Sequence, residues 1–138
     1  IIQRMTPNGD IALISDSLTL SSERLGDIAP HVYRRFFELD ASAANLMEYS
    51  DTHMRGRMFA SVLELFLSDD PFKSDGFLAW ELDNHVSAYS VTTTMYESLF
   101  KAFIDVVKES LGEAWSPEVA SAWTARTARI MTEVNCRD

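Results

Sequence analysis

The run TTTMYESLFKAFIDVVKESLG, residues 92–112, constrains the fold more than any other stretch. Met95, Tyr96, Leu99, Phe100, Phe103, Ile104, Val107 and Leu111 recur there at intervals of three and four, which lines one face of a helix and does not suit a strand. The leading threonines offer an N-cap, and Gly112 stands at the C′ position where a left-handed residue ends a helix. A helix this apolar on one side must bury that side against other elements.

The rest of the chain supplies elements of the same kind. In RLGDIAPHVYRRFFELD (24–40), Leu25, Ile28, Ala29, Val32, Tyr33, Phe36 and Phe37 form a second stripe, with Arg34, Arg35 and Glu38 off it. Gly26 and Asp27 suggest a break and N-cap, and Pro30 falls in the first turn, where its missing N–H costs little. From Asp51, DTHMRGRMFASVLELFLS is expected to set Met54, Met58, Val62 and Leu65/Phe66 on one face, ended by DDP at 69–71. SPEVASAWTARTARIMTEV opens with Ser116 as N-cap, Pro117 at N1 and Glu118 at the positive helix end. It then carries Val119, Ala122, Trp123, Ile130 and Met131. Shorter helices are expected near 41–47 and 76–88, and one over 10–24 competes with a strand at SLTLSS. The expectation is an all-α chain of six or seven helices forming one domain over 1–138.

Composition narrows the function. A hydrophobic content of 46% in 138 residues suffices for one core and not for two ordinary domains. The net charge of −9, with 12 basic residues scattered among 21 acids, opposes nucleic-acid binding, which needs clustered cations. Cys136 is alone, so neither an internal disulfide nor a cysteine-based zinc site can form. No signal pattern opens the sequence, and no apolar run approaches the roughly 20 residues that span a bilayer. A cytoplasmic protein away from membranes is the default expectation.

Catalytic signatures are missing: no Ser/His/Asp or Cys/His constellation, phosphate-binding glycine loop or helical HExxH is present. Asp69-Asp70 and Asp105/Glu109 read as solvated charge. GFLAWELDNHVSAY (76–89) is more informative, because Leu78, Leu82, His85, Val86 and Tyr89 share one helix face. A neutral imidazole among apolar neighbours can bind iron. Spacing alone nevertheless favours a partly exposed or internally satisfied histidine at 85. His53 reads as a helix-end surface histidine, and Met54 and Met58 as flexible core filling.

Taken with their flanks, VYRRFFELDASAANLM, the helix carrying Arg57, and HVSAYSVTTTMYESLFKAFIDVVKESLGEAWSPEVASAW resemble the single-domain bacterial globins and the globin part of flavohaemoglobins. The similarity covers about residues 10–135, and LGEAWSPE…AW (111–123) is its most specific piece. The resemblance implies a globin-like fold of six to eight helices around a haem pocket, holding haem b and its iron. It implies His85 as the metal ligand on the proximal side and Tyr33 as the distal hydrogen-bond donor. Met58 would lie above the haem and Arg57 beside a propionate. The distal glutamine or histidine position falls on Met54 or, one register away, on His53. Tyr96 would orient the proximal histidine, and Met47, Leu82, Tyr89, Val91 and Phe100 would complete the haem contacts.

Departures from the pattern are specific. Met47 stands in place of a phenylalanine, Ala41 in place of a proline and Thr127 in place of a tyrosine. Aligning Tyr89, Val91 and Tyr96 without a gap brings Val86 to the proximal position, whereas spacing of the vertebrate haemoglobin kind fits His85 directly. Both registers stay open. The implied function is reversible binding of O2, NO or CO; the alternative is a haem-free globin-like sensor or protein-interaction module. An enzyme is not expected, since nitric-oxide dioxygenation would need a separate reductase as partner, and a homodimer is compatible with either reading.

Overall fold

The computed structural model describes residues 7–68 and 91–136. Among them the chain forms six α-helices and no strand: α1 (Pro7–Leu25), α2 (Ala29–Leu39), α3 (Ala41–Leu46), α4 (Thr52–Leu67), α5 (Thr93–Leu111) and α6 (Pro117–Asn135), with a 3-10 turn at Gly112–Ala114 between the last two. The all-α expectation holds. The helix expected at 76–88 lies outside the described residues.

Helix boundaries follow local chemistry. Asp51, Thr92 and Ser116 each accept the backbone N–H three residues on, at 2.8, 3.1 and 3.2 Å, which satisfies one orphan donor of the first turn. Asp27 accepts from the Ala29 N–H at 3.1 Å, although the N-cap itself is Ile28, one residue later than expected. Gly112 ends α5 as its C-cap with φ of +54°, a conformation that costs glycine little. The segment at SLTLSS is helical throughout.

The helices enclose one aromatic core. α2 packs against α5, and α1 packs against both α6 and α5. Between these layers Phe66 lies 5.5 Å from Phe100, 5.2 Å from Phe103 and 5.2 Å from Trp123, and Phe103 lies 4.9 Å from Trp123. Most of these pairs meet edge to face, the arrangement that ring quadrupoles favour. All four side chains are fully enclosed.

The buried polar residues Ser17, Ser21 and Arg126 and the Trp123 indole all have hydrogen-bond partners. Trp123 Nε1 donates to Ser17 Oγ at 3.0 Å, and Ser17 Oγ donates to the Ile14 carbonyl at 2.7 Å. Ser110 Oγ donates to the Val107 carbonyl, so Ser21 is the donor in the 2.7 Å Ser21–Ser110 contact. Two arginines close helix ends from neighbouring helices. Arg24 donates to the Ser110 and Leu111 carbonyls of α5 at 2.7 and 2.9 Å. Arg126, buried on α6, donates to the carbonyls of Leu65 and Ser68 at the end of α4. A cation at the carbonyl end of a helix meets both the unpaired acceptors and the negative end of its dipole.

Candidate functional site

α4 explains how a second, less complete region arises. Its buried residues are Phe59, Val62 and Phe66. The stripe expected at Met54, Met58, Val62 and Leu65/Phe66 is therefore rotated in the structure. Phe59 takes the inward place because its ring fits between Tyr33 (6.3 Å) and Phe103 (5.1 Å), and Met54 is left 42% exposed. Met54, Met58 and Leu65, at i, i+4 and i+11, form an adjoining apolar face. Met54 is exposed while Met58 and Leu65 are half-buried, so the described residues do not fully cover that face.

Tyr33 lies beside α4 on α2. It is only 3% exposed, with ring neighbours Phe36 at 6.4 Å, Phe37 at 6.1 Å and Phe59 at 6.3 Å. Among the described residues its hydroxyl makes no hydrogen bond. Burial pushes the phenol up to about 12, against which the nearby Arg55 charge acts in the opposite direction. Tyr33 is thus a neutral donor with no acceptor among the described residues.

Arg55 was not anticipated. Half-buried itself, it extends the buried row Phe59, Val62 and Phe66 by one turn, and that spacing was its only sequence signal. Its Nε donates to Ser50 Oγ at 2.8 Å, its Nη2 to the Met47 carbonyl at 3.4 Å, and its guanidinium lies 4.9 Å from the centre of the Phe37 ring. Arg57, the arginine that the resemblance singles out, is exposed, as is His53.

The remaining candidates divide. Met47 is buried in the turn after α3, its N–H bonded to the Ala43 carbonyl at 3.0 Å. Phe100 is enclosed in the aromatic core against Phe66. Val91 and Tyr96 are half-buried near the start of α5, with the Tyr96 ring 6.0 Å from Phe100. Leu82, His85 and Tyr89 lie outside the described residues, and so does the choice between His85 and Val86. Tyr33, Met47 and Arg55 are therefore brought together at the junction of α2, α3 and α4, with Met54 and Met58 on the adjoining face.

Two surface depressions of about 270 and 480 Å³ lie elsewhere, along α2 and α5. They share Arg35 and Glu109 and are lined mainly by charged residues, several in ion pairs such as Arg35–Asp105 at 3.1 Å and Lys101–Asp105 at 3.5 Å. No candidate haem-contacting residue lines either. We read them as a solvated charged face, since exposed pairs of this kind hold little energy. Among the described residues no group of three His, Cys, Asp or Glu could hold a metal ion, and no helix is long and apolar enough to cross a membrane. Comparison with models of known families gives no match, and a search of curated proteins likewise returns none.

Proposed function

We propose that the chain is a haem-binding globin that takes up O2 or another diatomic gas. One observation carries this reading: Tyr33, a buried tyrosine whose hydroxyl makes no hydrogen bond among the described residues, packs on Phe59 of α4, the helix whose Met54 and Met58 form an apolar face that the described residues leave partly uncovered. A flat apolar group with one polar reacting position suits such surroundings, because methionines adapt to its shape and the phenol supplies a donor. The order of long and short helices is compatible with the same reading.

On this reading haem b supplies an iron with one coordination position for a small gas. His85 would hold the iron, an imidazole being a suitable ligand when its other ring nitrogen has an acceptor. Tyr33 would donate a hydrogen bond to a polar diatomic molecule. Met54 and Met58 would shield that molecule from water, and the exposed Arg57 would meet a propionate. A second reading, a haem-free globin-like sensor or interaction module, draws on Met47, which is buried where a haem-packing side chain is expected.

An absorption spectrum after haem addition separates the two. The haem reading predicts a strong Soret band in the wild type that is lost or shifted in His85→Ala. A wild-type chain that develops no Soret band overturns it. An unchanged band in His85→Ala would overturn His85 as the ligand.

A further inference from the structure

We propose that Arg55 is a positioning residue of the Tyr33 site: it fastens the α3–α4 corner and sets beside Tyr33 a positive charge that pairs with no carboxylate among the described residues. The proposal rests on the haem reading for the ligand and on the described geometry for the rest.

The fastening is visible in the hydrogen bonds. Residues 47–51 connect α3 to α4 through a turn in which Ser50 N–H and Ser50 Oγ both donate to the Met47 carbonyl, at 3.0 and 2.6 Å. Arg55 reaches back across this turn and engages both of its ends, Ser50 Oγ through Nε and Met47 O through Nη2. Its guanidinium plane also covers Phe37, which lies 6.1 Å from Tyr33. One side chain therefore ties the corner, α4 and the aromatic face of α2 together. A planar fork can do this, whereas the point charge of a lysine cannot.

The charge is a separate matter. Among the described residues no carboxylate pairs with Arg55, and its recorded acceptors are a hydroxyl and a carbonyl. Its positive charge is felt at Tyr33, and partial burial reduces its screening by solvent. The neighbourhood then presents two donors, the Tyr33 O–H and the remaining guanidinium N–H groups. Such a site favours a ligand whose outer atom gathers negative charge, as bound O2 does, over CO, which gathers less.

Amide exchange in the haem-free protein tests the fastening, and the C–O stretch of the CO-loaded protein tests the charge. Arg55→Met should speed exchange at Met47, Glu48 and Ser50 by about tenfold, as expected for one lost charge-assisted hydrogen bond, with α5 unchanged. Ser50→Ala should speed the same amides while leaving the charge in place. The C–O stretch should move to higher frequency in Arg55→Met, because a positive potential near the oxygen lowers it, and should return towards wild type in Arg55→Lys. Unchanged exchange in both Arg55→Met and Ser50→Ala overturns the fastening. A haem-loaded Arg55→Met with an unshifted stretch overturns the role of the charge alone. A chain that takes up no haem overturns the ligand-facing role together with the reading on which it rests.

Discussion

The aromatic core and the α2–α4 junction are built from the same kinds of side chain and differ in completeness. Around Phe66, Phe103 and Trp123 the rings are enclosed and the one indole donor has an acceptor. Around Tyr33 the phenol has no partner among the described residues, Met54 is 42% exposed, and the nearby Leu46 and Tyr49 are 46% and 92% exposed. An interior built only for stability tends to satisfy its polar groups and cover its apolar faces. The contrast therefore separates a region whose task is packing from one whose surfaces suit something other than the described chain.

The largest expected effect breaks the packed side. Phe66→Ala should cost about 3–5 kcal/mol, whereas Met54→Ala on the open side should stay within roughly 0.5 kcal/mol; urea unfolding of the haem-free protein measures both. Equal losses would erase the distinction between the regions. Arg126→Met keeps the aliphatic stem but removes the donors that close α4 at Leu65 and Ser68. It should cost about 2 kcal/mol, read in the same unfolding curves.

Alkaline pH examines Tyr33 directly. Its folded value of about 12 stands above the ordinary 10, so the unfolded chain loses this proton first, and stability falls as pH rises from 10 to 12. The loss attributable to Tyr33 should reach roughly 2–3 kcal/mol at the upper end. Tyr33→Phe should show a correspondingly shallower decline, and identical pH profiles for the two proteins would contradict the burial of the phenol. The smallest effect concerns Thr127, whose Oγ1 is enclosed without a hydrogen-bond partner among the described residues. Thr127→Val keeps the shape and removes the unpaired hydroxyl, so it should raise stability by up to about 1 kcal/mol. A lower melting temperature would show that the hydroxyl has a partner.

The sequence was most legible where one residue's chemistry decides the outcome. Ser116-Pro117, Asp51 and the threonines before Met95 mark helix starts through their own side chains, and the structure begins helices there. It was ambiguous at SLTLSS, because alternating leucines resemble a strand, while the innermost residues of α1 are Ile14, Ser17 and Ser21. Those serines are buried because Trp123 and Ser110 supply their partners from distant helices, and no local pattern records that. Arg55 and Arg126 escaped notice for a related reason. Each stands at core spacing, but a charge there is acceptable only if acceptors surround it, and the acceptors are mostly backbone carbonyls that sequence does not display. The face of α4 was misjudged because Met54 and Phe59 both fit an apolar period, and only packing against Tyr33 and Phe103 decides between them.

The central claim is that the open face beside Tyr33 receives a haem. Titration of the haem-free protein with haem, followed at the Soret band for wild type and for Met58→Lys, tests it most directly. The account predicts saturation of the wild type at one equivalent and greatly weakened uptake by a Met58→Lys protein that remains folded. A wild type that gains no Soret band, or a Met58→Lys protein that binds haem as well as wild type does, would contradict it.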